Sequence, residues 1–292
     1  MSILQAVILG AVQGITEFLP VSSSGHLVLL QKIFGISEPA LFFDTMLHLG
    51  TLAAVFAVLR KDILNILRHI FQPITGFLII GTLPAVVIAL LFKSKIEAVF
   101  ESGAFLGFAF LLTALSLTAA EALSRRRGVL RTGAQMTALD SLVIGIMQGI
   151  AILPGVSRSG FTLSGALSLK LERAFAARFS FLLSIPAILG AAVLQIKDLL
   201  DDKAIADGGF GAANAIDAAG LPVDAAAAVD AVTAASSQIT GIVPVIAGTL
   251  AAAIVGFFAV KLMLSIVQKY SLLPFAVYTA ALGIFVLFSG IF

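Results

Sequence analysis

The sequence predicts an all-α polytopic membrane protein built from two copies of one unit in inverted topology, each a re-entrant helix–loop–helix hairpin plus three transmembrane helices. Three observations predict it. Of 292 residues, 60% are hydrophobic and only 12% charged, against the ~25% charged of ordinary soluble domains; the mean hydropathy is +1.11. Several apolar stretches approach the ~20 residues that a bilayer core requires. Two other apolar stretches are interrupted by Pro, Gly and clustered serines, and these two resemble each other. There is no cysteine, which excludes disulfides and thiolate metal sites. No nucleic-acid partner is expected; the expected surroundings are membrane lipid.

The first interrupted stretch is Ile3–Phe34. It is not expected to be a cleaved signal, because it lacks a basic leading segment and carries Glu17 and Pro20 where small cleavage-site residues belong. Its halves are too short to cross a bilayer, so it is expected to enter and return. Non-helical backbone at that depth survives where protein or a wet cavity surrounds it. Three spans follow, at about Ala40–Leu59, Ile74–Phe92 and Ala104–Leu123. The second interrupted stretch, Ser141–Leu169, is expected to repeat the hairpin. Spans at about Phe175–Ile196, Gly241–Val260 and Leu272–Phe292 complete the chain. The expected layout is a single membrane domain over 1–292: repeat one at 1–123, a cytoplasmic linker at 124–139 and repeat two at 140–292. An acidic, Ala-rich extracytoplasmic loop is expected at about 197–240, holding Asp198, Asp201, Asp202, Asp207, Asp217, Asp224 and Asp230.

Basic residues orient this threading. Arg60, Lys61, Arg68, Arg125, Arg126, Arg127, Arg131, Lys170, Arg173, Arg178, Lys261 and Lys269 fall on one side. The other side has Lys32, Lys93, Lys95, Lys197 and Lys203. The richer side is expected to be cytoplasmic, which puts both termini outside and opens the first hairpin outward.

The repeat is carried by matched residues. Gln13-Gly14-Ile15 corresponds to Gln148-Gly149-Ile150, and Ser22, Ser24 and Gly25 to Ser157, Ser159 and Gly160. Leu19-Pro20 corresponds to Leu153-Pro154, and Gly81-Thr82-Leu83 to Gly248-Thr249-Leu250. Three crossings between copies invert the second, as in many transporters, so the two tips are expected to meet near the midplane.

The tips hold the candidate chemistry. Ionisable groups at membrane depth point to function, and the tips carry Glu17, Ser23, His26 and Arg158. Ser22, Ser24, Ser157 and Ser159 lead into the second half-helix of each hairpin, whose free amides and positive dipole end favour an anion. Gly25 and Gly160 allow close backbone approach. Arg158 adds a planar cationic fork suited to phosphate. His26 has the chemistry of a base, an acid or a nucleophile, and Ser23 is a second nucleophile if His26 or Glu17 takes its proton. Lone membrane serines usually bond back to their own helix. Asp44 and His48, one turn apart on the first full span, suit a structural pair as well as a site.

Gln13-Gly14-Ile15-Thr16-Glu17-Phe18-Leu19-Pro20-Val21-Ser22-Ser23-Ser24-Gly25-His26 resembles the first signature of bacterial undecaprenyl-diphosphate phosphatases of the bacitracin-resistance type. Pro154-Gly155-Val156-Ser157-Arg158-Ser159-Gly160 resembles the second, and the likeness runs through nearly the whole chain. The resemblance implies an enzyme of the bacterial plasma (inner) membrane. It would hydrolyse undecaprenyl diphosphate to the monophosphate, recycle the lipid carrier of peptidoglycan synthesis and confer bacitracin resistance. It implies a divalent cation, Mg²⁺ or Ca²⁺. It also implies Glu17, Ser23 and His26 as catalytic residues and Arg158 as the phosphate-binding arginine. Gln13 departs from the family pattern, which carries Glu there; Glu17, Gln13 and Asp44 are the expected metal positions. A transporter or flippase for a phosphorylated lipid is the alternative that inverted repeats suggest. The small residues of Gly248–Gly256 suit close packing and a possible homodimer.

Overall fold

The computed structural model describes residues 1–36, 41–125, 129–209 and 225–292, and among them it forms helices and no strands. Ala40, Arg126, Arg127 and the middle of the expected outer loop (210–224, with Asp217 and Asp224) lie outside the described residues. The helices are α1 (Ile3–Thr16), α2 (Ser23–Ile33), α3 (Leu41–Val58), α4 (Arg60–Arg68), α5 (Pro73–Ser102), α6 (Leu106–Arg125), α7 (Ala138–Ile150), α8 (Arg158–Ser168), α9 (Arg173–Gly209), α10 (Ala225–Lys269) and α11 (Leu273–Phe288).

Both interrupted stretches break where their sequences lose helical hydrogen bonding. Ser2 and Gln5 cap each other's backbone to start α1, and Thr137 and Asp140 do the same for α7. The breaks at Pro20 and Pro154 end the first halves, and Ser22 and Ser157 cap the second halves by accepting from the amides of Gly25 and Gly160. The four half-helices hold 14, 11, 13 and 11 residues. At 1.5 Å per residue each falls well short of a bilayer core of ~30 Å.

Among the described residues four helices are long and apolar enough to cross a membrane: Pro73–Phe92 of α5, Leu106–Arg125, Arg173–Gln195 of α9 and Ile242–Lys269 of α10. Two expected spans differ. α3 runs into α4 through a 79° bend, because the apolar run meets Arg60-Lys61-Asp62 and the chain turns to keep those charges out while Ile63 packs inward. α11 has 16 residues, ending before Ser289 and the left-handed Gly290. The expected 197–240 loop also differs: α9 continues to Gly209 and α10 begins at Ala225, so its described ends are helical. Alanine has the highest helix propensity, and runs such as Ala225–Ala228 outweigh the interspersed aspartates.

The helices exchange partners. α1 packs along α10 and α7 along α5, while α3 lies against α10 and α9, and α6 against α11 and α8. Backbone touches backbone at glycines. A Cβ on Gly10 of α1 would collide with the Gly248 carbonyl of α10, and one on Gly145 of α7 would sit 2.6 Å from the Gly81 carbonyl of α5. Gly107 and Gly283 join α6 to α11 in the same way. Gly248 and Gly256 face Phe43, Phe18 and Ala54 of the same chain. These glycines serve the close packing expected of their small residues within the chain.

The core is buried around Phe18, Leu117, Phe179, Leu183 and Met263. Phe71, Leu91, Phe258 and Val277 stand outward, an apolar exterior suited to lipid. At one end of the bundle Glu121 accepts from Arg125 Nε (2.9 Å), Arg173 Nη2 (2.6 Å) and the Leu272 amide (3.2 Å), tying α6, α9 and α11 together. At the start of α7, Arg131 donates to both Asp140 oxygens, at 2.9 and 2.6 Å.

Two predictions follow from this packing. Gly10→Ala forces a methyl into the α10 backbone and lowers stability by about 1–3 kcal/mol, whereas Gly76→Ala meets open space and is neutral or slightly stabilising. Thermal unfolding in detergent separates the two. Burial alone would raise the Asp140 carboxyl, but hydrogen bonds from Arg131 and from the Thr137 hydroxyl and amide hold it below its ordinary value. Its contribution is present above the ordinary carboxylate pKa and is lost as pH falls through the lowered one. The gap in thermal stability between wild type and Asp140→Asn is therefore widest near neutral pH and closes on acidification.

Candidate active site

Glu17 caps the C-terminal end of α1 and is 6% exposed. A carboxylate there opposes the helix dipole and pays a desolvation penalty, so its stability depends on partners. Arg158 ion-pairs with Oε1. Oε2 accepts from Ser23 Oγ at 2.6 Å and from Gln13 Nε2 at 2.9 Å. His48 Nε2 lies 3.5 Å from the same oxygen. The His48 Nδ1–H donates to the Asp44 carbonyl at 2.8 Å, which aims Nε2 at Glu17. Asp44 Oδ1 accepts from Gln31 Nε2 at 2.7 Å.

The two breaks are locked together. Ser159 Oγ donates to the Leu19 carbonyl (3.1 Å), and the Gly155 amide donates to Ser24 Oγ (3.3 Å). The Ser157 amide donates to Thr113 Oγ1 of α6 at 3.0 Å. A methyl on Gly25 would strike the Phe110 ring, and one on Gly160 would lie 3.0 Å from Ser157 Oγ and 3.3 Å from Pro20. Both glycines are there for approach, as their sequence positions suggest.

A cavity of about 700 Å³ opens over this junction. Its polar end holds Glu17, Ser23, Ser24, Asp44, His48, Ser157 and Arg158. Its remaining wall is mainly apolar, from Ala85, Val86, Ala89 and Leu90 of α5 and Ala187–Val193 of α9, with Thr16, Thr45, Thr82 and Gln148 among them. The first residues of α2 and α8 both border it, so two helix N-termini face one space. The arrangement suits an anionic head with an apolar tail.

The structure brings together Glu17, Ser23, Ser24, Ser157 and Arg158 as expected, with Gln13 behind Glu17 and Asp44 along the wall. Ser22, Ser159, Gly25 and Gly160 lie outside the lining and shape the tips instead. His26 is not brought to Glu17 or Ser23. Its Nδ1–H donates to the Ser22 carbonyl (2.6 Å) and its Nε2 pairs with Tyr278 Oη (2.7 Å), on the side of α2 facing Phe110 and α11. The cavity's histidine is His48, which the spacing Asp44-x-x-x-His48 had signalled equally as a structural pair. Tyr278 and Thr113 were missed; a Tyr or Thr on an apolar helix gives no sign of its partner.

The chain is similar over nearly its full length to proteins named for one activity. It is 44% identical to the undecaprenyl-diphosphatase of Carboxydothermus hydrogenoformans, covering 98% of this chain and 97% of that one. Undecaprenyl-diphosphatase 4 of Bacillus thuringiensis subsp. konkukian is 40% identical over the same shares. The undecaprenyl-diphosphatase of Methanosphaera stadtmanae is 37% identical, covering 97% and 96% of the two chains. Residues 6–285 also match the profile described as bacitracin resistance protein BacA. With two broken helices meeting at a buried carboxylate–guanidinium pair, the chain belongs to the bacitracin resistance protein BacA family.

Proposed function

We propose that this chain is a multi-pass membrane phosphatase that hydrolyses undecaprenyl diphosphate to undecaprenyl phosphate and inorganic phosphate. This recycles the carrier of peptidoglycan synthesis and confers bacitracin resistance. The observation that carries the reading is the hydrogen bond from Ser23 to Glu17, beside Arg158, at the polar end of a cavity with an apolar wall. The prenyl chain lies along the α5 and α9 wall, and the diphosphate meets the two helix N-termini. Arg158 exchanges Glu17 for the terminal phosphate, with Ser24 and Ser157 beside it. Glu17 takes the Ser23 proton, and Ser23 Oγ bonds to the terminal phosphorus as the bond to the bridging oxygen breaks. Undecaprenyl phosphate leaves as a stable anion. Water then attacks the phosphoserine, with Glu17 returning the proton to Ser23 and phosphate released. Charge placement supplies most of the rate. An anion carrier has no need of the Ser23–Glu17 bond, which sets the transporter alternative behind the enzyme.

A divalent cation, Mg²⁺ or Ca²⁺, belongs to the proposal. Buried Gln13 Oε1 has no hydrogen-bond donor, and an unpaired acceptor beside a carboxylate fits a hard cation. Among the described residues no three acidic, His or Cys side chains cluster as a cage. Glu17, Gln13 and Asp44 would therefore hold the ion together with the substrate's own oxygens. Held there, the ion would supply positive charge to a diphosphate that meets two carboxylates, Glu17 and Asp44, and one fixed cation, Arg158.

The same proposal takes the two hairpins as re-entrant, with six crossings, and the halves as inverted copies over 1–123 and 140–292. The exchanged glycine contacts support it: Gly10 on Gly248 and Gly145 on Gly81 are the same pair in the two copies. Arg125, Arg131, Lys170, Arg173 and Lys269 gather at the bundle end tied by Glu121 and the Arg131–Leu171 bridge. That end is proposed as cytoplasmic, with both termini outside and the active site opening outward.

Phosphate release from a long-chain prenyl diphosphate by the purified protein tests the activity. Ser23→Ala and Glu17→Gln lower it by about 10²-fold or more. Arg158→Lys keeps the charge and the fold but loses the fork, and falls similarly. A chelator abolishes release; a wild type that releases none across metals and chain lengths refutes the proposal. Gln13→Glu adds a carboxylate and lowers the half-saturating Mg²⁺ by roughly tenfold. Unchanged metal dependence removes Gln13 from the ligand set.

A further inference from the structure

We infer that His26 and Tyr278 form a positioning device that sets Ser23 against Glu17, and that His26 takes no part in proton transfer to substrate. This rests on Ser23 and Glu17 as the reacting pair proposed above. Ser22, immediately before Ser23, has φ 71° and ψ 98°. A non-glycine residue in that region is strained and needs surroundings that enforce it. The enforcing contact is visible. The Ser22 carbonyl accepts from the His26 side chain at 2.6 Å and from the His26 amide at 3.3 Å. A carbonyl only accepts, so Nδ1 carries the proton and the neutral ring presents Nε2 as an acceptor. Tyr278 Oη donates to it at 2.7 Å. The tyrosine ring stacks on the imidazole at 5.7 Å and 10°, and Phe110 meets it edge-on at 5.5 Å. Both imidazole nitrogens are engaged away from the cavity: the Ser22 carbonyl fixes the tautomer, and Tyr278 of α11 holds the ring by donating to Nε2.

The chain of contacts runs Tyr278 to His26 to the Ser22 carbonyl. The Ser22 peptide sets the direction of the first turn of α2, and that turn carries Ser23, whose hydroxyl reaches Glu17 at 2.6 Å. Tyr278 is thereby a positioning residue for the reaction, supplied by the last helix of the chain.

Two amides separate positioning from proton transfer. Asparagine at 26 places its Nδ2 where the imidazole Nδ1 was and keeps the donor to Ser22. Glutamine reaches the Nε2 position and loses that donor. Neither exchanges protons as a base. The full-length protein in detergent is assayed for kcat, KM and the pH profile of kcat/KM on a long-chain prenyl diphosphate. The ¹⁵N shifts of the imidazoles are recorded alongside; the chain has only 3 histidines, so His26 is assigned by substitution. The expectation is that His26→Asn stays within about tenfold of wild type with an unchanged pH profile. His26→Gln falls about 10²-fold, the scale of a misplaced reacting group. Tyr278→Phe lowers kcat with KM little changed, and its His26 Nε2 shift moves as the donated hydrogen bond is lost while Nδ1 keeps its proton. The inference is overturned if folded His26→Asn and His26→Gln are equally inactive and one limb of the pH profile is lost. It is also overturned if Tyr278→Phe changes neither kcat nor the Nε2 shift. A wild type that releases no phosphate refutes the phosphatase instead, and the Nε2 shift in wild type and Tyr278→Phe still reports whether the clamp exists.

Discussion

Glu17 and Arg158 each stand at the helix end whose dipole opposes their charge. The carboxylate closes the C-terminus of α1, and the guanidinium opens the N-terminus of α8. Both sit in a protein interior where an unpaired charge is strongly destabilising. Each is tolerable chiefly because the other is within reach, and that requires both helices to break at one point in space. Most of the architecture can be understood as meeting this demand. In the proposed reaction a phosphate entering the junction would find Arg158 and two sets of helix amides already oriented, so the poor electrostatics of the resting pair would become favourable once an anion arrives.

Holding two breaks together needs more than the ion pair. The tips are stitched by Ser159 to Leu19, Gly155 to Ser24 and Ser157 to Thr113. Behind them the half-helices are clamped by backbone contacts at glycine, α1 on α10 and α7 on α5. Small residues allow such approach in a medium where burial of apolar side chains supplies little net drive between helices. The core around Phe18 and Phe179 fills one end of the bundle, and the Glu121 cluster ties the helix ends there. The cavity is the space these restraints leave between α5, α9 and the tips.

Much of this is legible in the sequence because it rests on local chemistry. Pro20 and Pro154 with their serines announce the breaks, and the matched Gln-Gly-Ile and Ser-x-Ser-Gly strings pair the hairpins. Arg158 stands out as an arginine inside an apolar stretch. What is not legible depends on rotation about a helix axis. The cavity face of α2 is Ser23, Ser24 and Leu27, and His26 falls beyond its edge. That setting is fixed by Ser22 at φ 71°, which no serine-rich string discloses. His48 entered the cavity for a similar reason, through the direction of α3 against α1. The outer loop was misjudged on polarity, where alanine propensity governs the described ends of α9 and α10.

The crossed packing also bears on how the chain is made. Gly10 of α1 seats against Gly248 of α10, ~240 residues downstream, which at about 5–20 residues per second emerges roughly 10–50 s later. Throughout that interval α1 lacks α10, and for 141 residues of synthesis the Glu17 carboxylate lacks Arg158 of α8. A nascent chain in that condition is a substrate for insertases and quality-control proteases, and its survival depends on elongation rate. Slow codons between the halves would then reduce yield without altering one residue of the finished enzyme.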